Sequence, residues 1–195
     1  MRAPLLQLKY KFISFKVLAM QAVAVRPRDL DVNALAGAFG LWLKKAASGR
    51  KRACLLTDES VFATSGQFVV LDATRASQLI RQGLDAGTVS ELVALLGLPK
   101  REDLGHALNA NPTSLWRWAR DNKQLPAATV EQILRSMQLQ LVAADVFGSV
   151  EAARQWLQKP HPVLDGMSPS DFADNEFGAQ KVSGMLAGLK YGGVA

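Results

Sequence analysis

Cysteine, histidine and long apolar runs are all scarce in this chain, and each scarcity removes a class of function. Cys54 is the only cysteine, so no internal disulfide can form, and the two histidines, His106 and His161, stand too far apart to supply a zinc-ligand pattern. No GxSxG, HExxH or glycine-rich phosphate loop occurs. Catalysis therefore has no sequence signal, and the expectation is a protein that is not an enzyme and holds neither metal nor cofactor. Lys9, Lys11 and Lys16 interrupt the N-terminal apolar segment before it reaches the length of a signal-peptide core, and no later run approaches a membrane span. With its lone cysteine, the chain is expected in the reducing cytoplasm.

What is present is ordinary for a folded domain. The 195 residues are 49% hydrophobic and 21% charged, enough for one generous domain or two small ones, and incompatible with disorder throughout. The net charge of +6 is unevenly spread. Lys plus Arg against Asp plus Glu runs 11 to 4 over residues 1–60, 8 to 7 over 61–140 and 4 to 6 over 141–195. Such an N-terminal excess suits either a solvated arm or nonspecific phosphate binding.

Residues 1–75 read as an extension of unknown role. LQLKYKFISFKV alternates like a strand, although Met20 offers an alternative start. Residues 31–47 place Val32, Leu35, Ala36, Phe39 and Leu43 on one side of a helix. ACLLT, SVFAT and QFVVLDA then suggest short strands forming a meander or hairpin over that helix.

From residue 76 the pattern turns helical. One helix begins at Ser77, and Thr88-Val89-Ser90-Glu91 has the capping-box form for the next, with Val89, Leu92, Val93 and Leu96 inward and Gly97 as its stop. A third carries Leu104, Ala107 and Leu108. Asn109 and Ala110 suit a tight turn, Asn111 and Pro112 the cap and first residue of a further helix. On it Leu115 and Trp118 point inward, leaving Thr113, Ser114, Trp116, Arg117 and Arg120 outward. A short helix, a tight turn and a basic helix are the parts of a helix-turn-helix, though any small bundle joins two helices in this way. Ala127 to Phe147 reads as one long helix whose stripe Val130, Ile133, Leu134, Met137 and Leu141 serves either as core or, at an exposed edge, as a dimer contact.

Residues 143–195 are densely punctuated. Ser149 caps a helix bearing Val150, Ala153 and Leu157, which Pro160 and Pro162 end. Asp165-Gly166 makes a turn, Ser168-Pro169 opens another helix, and Gly178 separates it from a last helix with the stripe Val182, Met185, Leu186 and Leu189. Tyr191-Gly192-Gly193 ends that helix.

AxxVFGxxExAxxWLxxP from Ala143, LxGxSP from Leu164 and FGxxxVxxxLxxxxYG from Phe177 resemble, in content and order, the toxin-binding region of the Xre/MbcA/ParS family of bacterial antitoxins. Residues 77–140, with LxxLLGLP and LWRWARDNKQLP, resemble the Xre-type helical domain, itself similar to the Cro helix-turn-helix. No resemblance is found before about residue 76. His161 stands where the family suggests asparagine, which puts a contact there in doubt.

Beside the 1–75 extension of short α+β elements, the resemblance implies a mainly α protein with a Cro-like helix-turn-helix bundle over 76–142 and a small helical toxin-binding domain over 143–195. It implies a type II toxin-antitoxin function. The C-terminal domain would cover the active site of a RES-domain, NAD-consuming toxin, and the helix-turn-helix would repress the operon at its own operator DNA. Toxin contacts are expected at Lys181, Met185, Leu189, Lys190, Tyr191, Gly192 and Gly193. DNA contacts are expected at Thr113, Ser114, Trp116, Arg117 and Arg120, in a homodimer or a larger hetero-oligomer with toxin. The alternatives are a free-standing transcriptional regulator and a protein-binding localisation factor of the ParS type.

Overall fold

A computed structural model describes residues 31–47, 62–65, 68–98, 103–108 and 110–192. The expectations for residues 1–30, the ACLLT run, Asn109 and Gly193 lie outside the described residues. The described fold is mainly helical. In chain order come α1 (Val32–Ala47), β1 (Phe62–Ser65), β2 (Phe68–Leu71), α2 (Ala73–Gln82), a 3-10 turn (Ala86–Thr88), α3 (Val89–Leu95), α4 (Asp103–Ala107), α5 (Pro112–Arg120), α6 (Ala127–Phe147), α7 (Val150–Gln158), a second 3-10 turn (Pro162–Leu164), α8 (Pro169–Phe172) and α9 (Glu176–Tyr191).

The spine is α6, 21 residues and so about 30 Å long. It packs against α1, β2, α2, α7 and α9. Its apolar stripe, Val130, Ile133, Leu134, Met137 and Leu141, is wholly buried by this one chain, as are Leu139, Ala143 and Ala144 off the stripe. The stripe is thus core, and no exposed edge of it is left for a dimer.

The polar residues of α6 are equally occupied, because helix and strand ends leave main-chain groups that must be paired once buried. Gln138 Oε1 accepts from the Leu71 amide at 2.6 Å, closing the end of β2. The Gln140 side-chain amide donates to the Leu96 carbonyl at 2.9 Å, past the end of α3. That of Gln132 lies between the carbonyls of Ala107 and Ala173, at 3.5 and 3.4 Å, and so ties α4 to the end of α8. One helix thereby completes elements from both halves of the chain.

The N-terminal elements belong to this core. Phe39, Trp42 and Leu43 of α1 are buried, and the Trp42 indole N–H donates to the Thr88 carbonyl at 3.0 Å. The hairpin expected from SVFAT and QFVVLDA is present, with β1 antiparallel to β2 in the register Phe62 to Leu71.

Three local expectations are corrected. First, α2 begins at Ala73, four residues before Ser77, because Asp72 accepts from the Arg75 amide and caps it there. Second, Thr88 does not cap α3. The 3-10 turn, capped by Asp85, runs straight into that helix, so Thr88 is itself helical and its hydroxyl donates to the Asp85 carbonyl, while Glu91 pairs with Lys45. Third, Gly178 does not separate two helices. It lies within the first turn of α9, where the Asn175 side chain accepts from its amide at 3.0 Å. The missing side chain serves packing instead, since a Cβ there would stand 1.8 Å from the Phe172 carbonyl oxygen.

Candidate functional site

Two surfaces present chemistry outward. One belongs to α9. Its inward stripe of Gly178, Ala179, Val182, Met185 and Leu186 is buried against the core. Met185, expected at the toxin contact, is only 7% exposed and packs inward instead of facing outward. The opposite face is Phe177, Lys181, Gly184, Gly188 and Tyr191, a 4-3-4-3 spacing that keeps them in line along the helix. Phe177 is 84% exposed and Tyr191 61%, while Gly184 opens onto empty space. The Lys181 ammonium lies 5.5 Å from the centre of the Phe172 ring. Phe177 is absent from the expected contacts. Its signal was its position, one residue off the apolar stripe, where burial cannot account for a phenylalanine.

The remaining expected toxin residues divide. Leu189 continues the inward spacing but is 48% exposed. Lys190 turns back to pair with Asp145 of α6 at 2.5 Å. Gly192 takes the left-handed conformation, φ 72°, and caps α9 by donating its N–H to the Gly188 carbonyl.

Around this helix the loop from His161 to Met167 is fixed by its own backbone. The His161 carbonyl accepts from the amides of Leu164 and Gly166, and the His161 amide donates to the Met167 carbonyl. His161 is half-buried beside Trp156, with ring centres 6.3 Å apart. Val163 and Met167 are exposed on the same loop.

Residues 142–192 match the family of the antitoxin Xre/MbcA/ParS C-terminal toxin-binding domain. This stretch is similar to an antitoxin's toxin-binding domain. No curated protein matches the chain. The matched region takes in the end of α6, all of α7 to α9 and the exposed face just described, and the match supports an antitoxin role with a toxin as partner. Among the described residues no helix is long and apolar enough to cross a membrane.

The matched region is pinned to the N-terminal half by Arg154 of α7. This side chain is 93% buried, and its guanidinium donates to the Leu95 carbonyl at 2.7 Å, at the C-terminal end of α3. A cation there meets the negative end of the helix dipole. Burial pushes its pKa below the usual guanidinium value, against the opposing pull of Glu151. Gly97, with φ 67°, makes room for it, because a Cβ there would lie 2.4 Å from Arg154 Nε. The sequence marks Gly97 as a helix stop, and its second role is visible only in three dimensions.

The second surface is α5. Asn111 caps it, accepting from the Ser114 amide at 3.3 Å, and Pro112 fills its first position as expected. Leu115 is buried, and Thr113, Arg117 and Arg120 are exposed. Ser114 is half-buried. Trp116 differs from its expected outward place, for it is half-buried and packs with Trp118 against the core. The crossing of α4 and α5 depends on Gly105, where a Cβ would come within 2.4 Å of the Pro112 ring. Arg120 shares an exposed pair with Asp121 at 3.3 Å.

Proposed function

We propose that this antitoxin neutralises a RES-domain, NAD-consuming toxin by laying the outward face of α9 and the chain that follows it over the toxin's active site. The observation that carries this reading is Phe177, 84% exposed within a toxin-binding domain. A phenylalanine left in water on a rigid helix is the kind of anchor that dominates protein interfaces, and glycines beside it permit close approach of a partner backbone. Lys181 and Tyr191 flank the anchor and supply polar tips on apolar bodies. The antitoxin itself catalyses nothing and takes up no cofactor in this reading, and it acts in the cytoplasm where such a toxin acts.

The same proposal assigns α5 to the operator DNA of the antitoxin's own operon. Thr113, Arg117 and Arg120 project from a capped helix that follows α4 across a short turn, an arrangement suited to major-groove entry. Reading a two-fold operator would require a homodimer or a larger assembly with toxin.

The test is co-expression of the chain, whole and truncated after Phe147, with the product of the neighbouring gene. Protection of growth and co-purification only with the intact C-terminus is the expected result. Failure of the whole chain to protect or bind would overturn the proposal, leaving a free-standing DNA-binding regulator or a localisation factor to be separated by a promoter-binding assay.

A further inference from the structure

Lys190 occupies a place in α9 that a contact residue has no need of. Counting from Ala179, the positions Val182, Leu186 and Lys190 follow at steps of three, four and four, so Lys190 continues the buried side of the helix and not the face that bears Phe177. Its ammonium reaches Asp145 on α6 at 2.5 Å, with side chains 19% and 21% exposed. Asp145 stands in the last turn of α6, where the helix dipole disfavours a carboxylate, and Lys190 in the last turn of α9, where the dipole favours a cation. The Lys190 ammonium thus offsets a carboxylate that its own helix end disfavours.

Apolar anchoring of α9 has also run out at this point. Leu186 is fully buried, but Leu189, the next residue on the inward spacing, is 48% exposed. The last turn needs another hold. Successive helical residues are set about 100° apart, so a slip of a single residue there would carry Tyr191 off the outward face.

We infer that Lys190 is a positioning residue of the toxin-binding surface: its pair with Asp145 fixes the rotation of the last turn of α9 and the direction in which the chain leaves it at Gly192. This rests on the antitoxin reading of α9 given above. Lys190 then acts on the toxin only through Tyr191, which separates it from Phe177.

Asp145 provides the discriminating variant. A lysine that contacts toxin directly would be released by Asp145→Ala, and binding would hold or improve. A positioning lysine would lose its hold, so Asp145→Ala and Lys190→Ala would fall together. The expected result is that each weakens binding to the purified product of the neighbouring gene about tenfold, and that Asp145→Lys combined with Lys190→Asp restores most of it. Amide hydrogen exchange in residues 187–192, measured without any toxin, should accelerate in both single variants and recover in the exchanged pair.

Unchanged exchange in both single variants would overturn the inference, as would loss of binding for Lys190→Ala alone. Failure of the unaltered chain to bind the neighbouring product would count against the antitoxin reading, and the exchange measurement would still decide whether the pair holds the last turn. Thermal melts identify any variant that fails to fold, and Asp145→Asn and Lys190→Gln take its place.

Discussion

The outward faces of α5 and α9 stand on similar seats and carry opposite chemistry. Each helix is capped by an asparagine that accepts from an amide three residues on, Asn111 from Ser114 and Asn175 from Gly178. Each also owes its place to a glycine at which a Cβ would collide with its neighbour, Gly105 beside Pro112 and Gly178 beside Phe172. On these seats α5 displays Thr113, Arg117 and Arg120, and α9 displays Phe177, Gly184 and Tyr191. Local backbone chemistry sets where a helix stands. What it could meet depends on a few outward side chains: the cationic set on α5 suits the phosphate backbone of the proposed operator, and the apolar set on α9 suits the proposed toxin cleft.

The largest effect should come from disturbing the seats. In Gly178→Ala the added carbon would meet a main-chain oxygen at 1.8 Å, and a carbonyl within a capped helix cannot yield without moving α8 or α9. In Gly105→Ala the nearest atoms belong to the Pro112 ring at 2.4 and 2.8 Å, with the Ala110 carbonyl at 2.9 Å, so part of the strain can be relieved by a shift of the ring. Denaturant unfolding should show Gly178→Ala losing more than about 3 kcal/mol and Gly105→Ala a smaller amount. The reverse ranking would mean that the α4–α5 crossing is the tighter of the two seats.

A smaller and purely functional effect is expected from the α9 face. Phe177→Ala removes a ring that touches little of its own chain, so the stability should change by no more than about 0.5 kcal/mol. Binding of the neighbouring gene's product should fall by about 2 kcal/mol, close to thirtyfold, if the ring is the central anchor. Calorimetric titration beside a thermal melt separates the two quantities. Equal binding by the variant would move the anchor elsewhere on the domain, with Val163 and Met167 of the neighbouring loop the next places to look.

The contrast between the two faces was unevenly legible in the chain. Caps and stripes were readable because they depend on short spacing: Asn111 with Pro112, Ser149, Ser168 with Pro169, and the buried run Val182, Met185, Leu186 all stand where periodicity and capping chemistry put them. The same periodicity placed Met185 inward, against its expected role in binding, and left Phe177 outside the stripe. What the chain could not show was long-range pairing. Nothing local distinguishes the buried Arg154, 59 residues from its partner Leu95, from an exposed arginine. Nor does Asp145 announce that Lys190, 45 residues on, will take it. The three glutamines of α6 look like surface residues in one dimension, yet they complete β2, α3, α4 and α8.

The smallest change in stability and the most specific change in behaviour should come from the α5 face. Arg117 and Arg120 are exposed, and the pair that Arg120 makes with Asp121 is a surface pair of the kind worth little to folding. Replacing both with alanine should leave the melt unchanged. If both reach the DNA backbone, the slope of log affinity against log salt should become shallower by about two, with binding weakened across all sequences. If one reads a guanine edge, preference among operator variants should relax at that position by about 1 to 3 kcal/mol while the salt slope changes less. Toxin binding, carried by an apolar face, should respond to neither substitution and only weakly to salt. A double variant with unchanged affinity and unchanged salt slope would remove α5 from the DNA interface, and a variant that lost both DNA and toxin binding would show that the two faces are not independent.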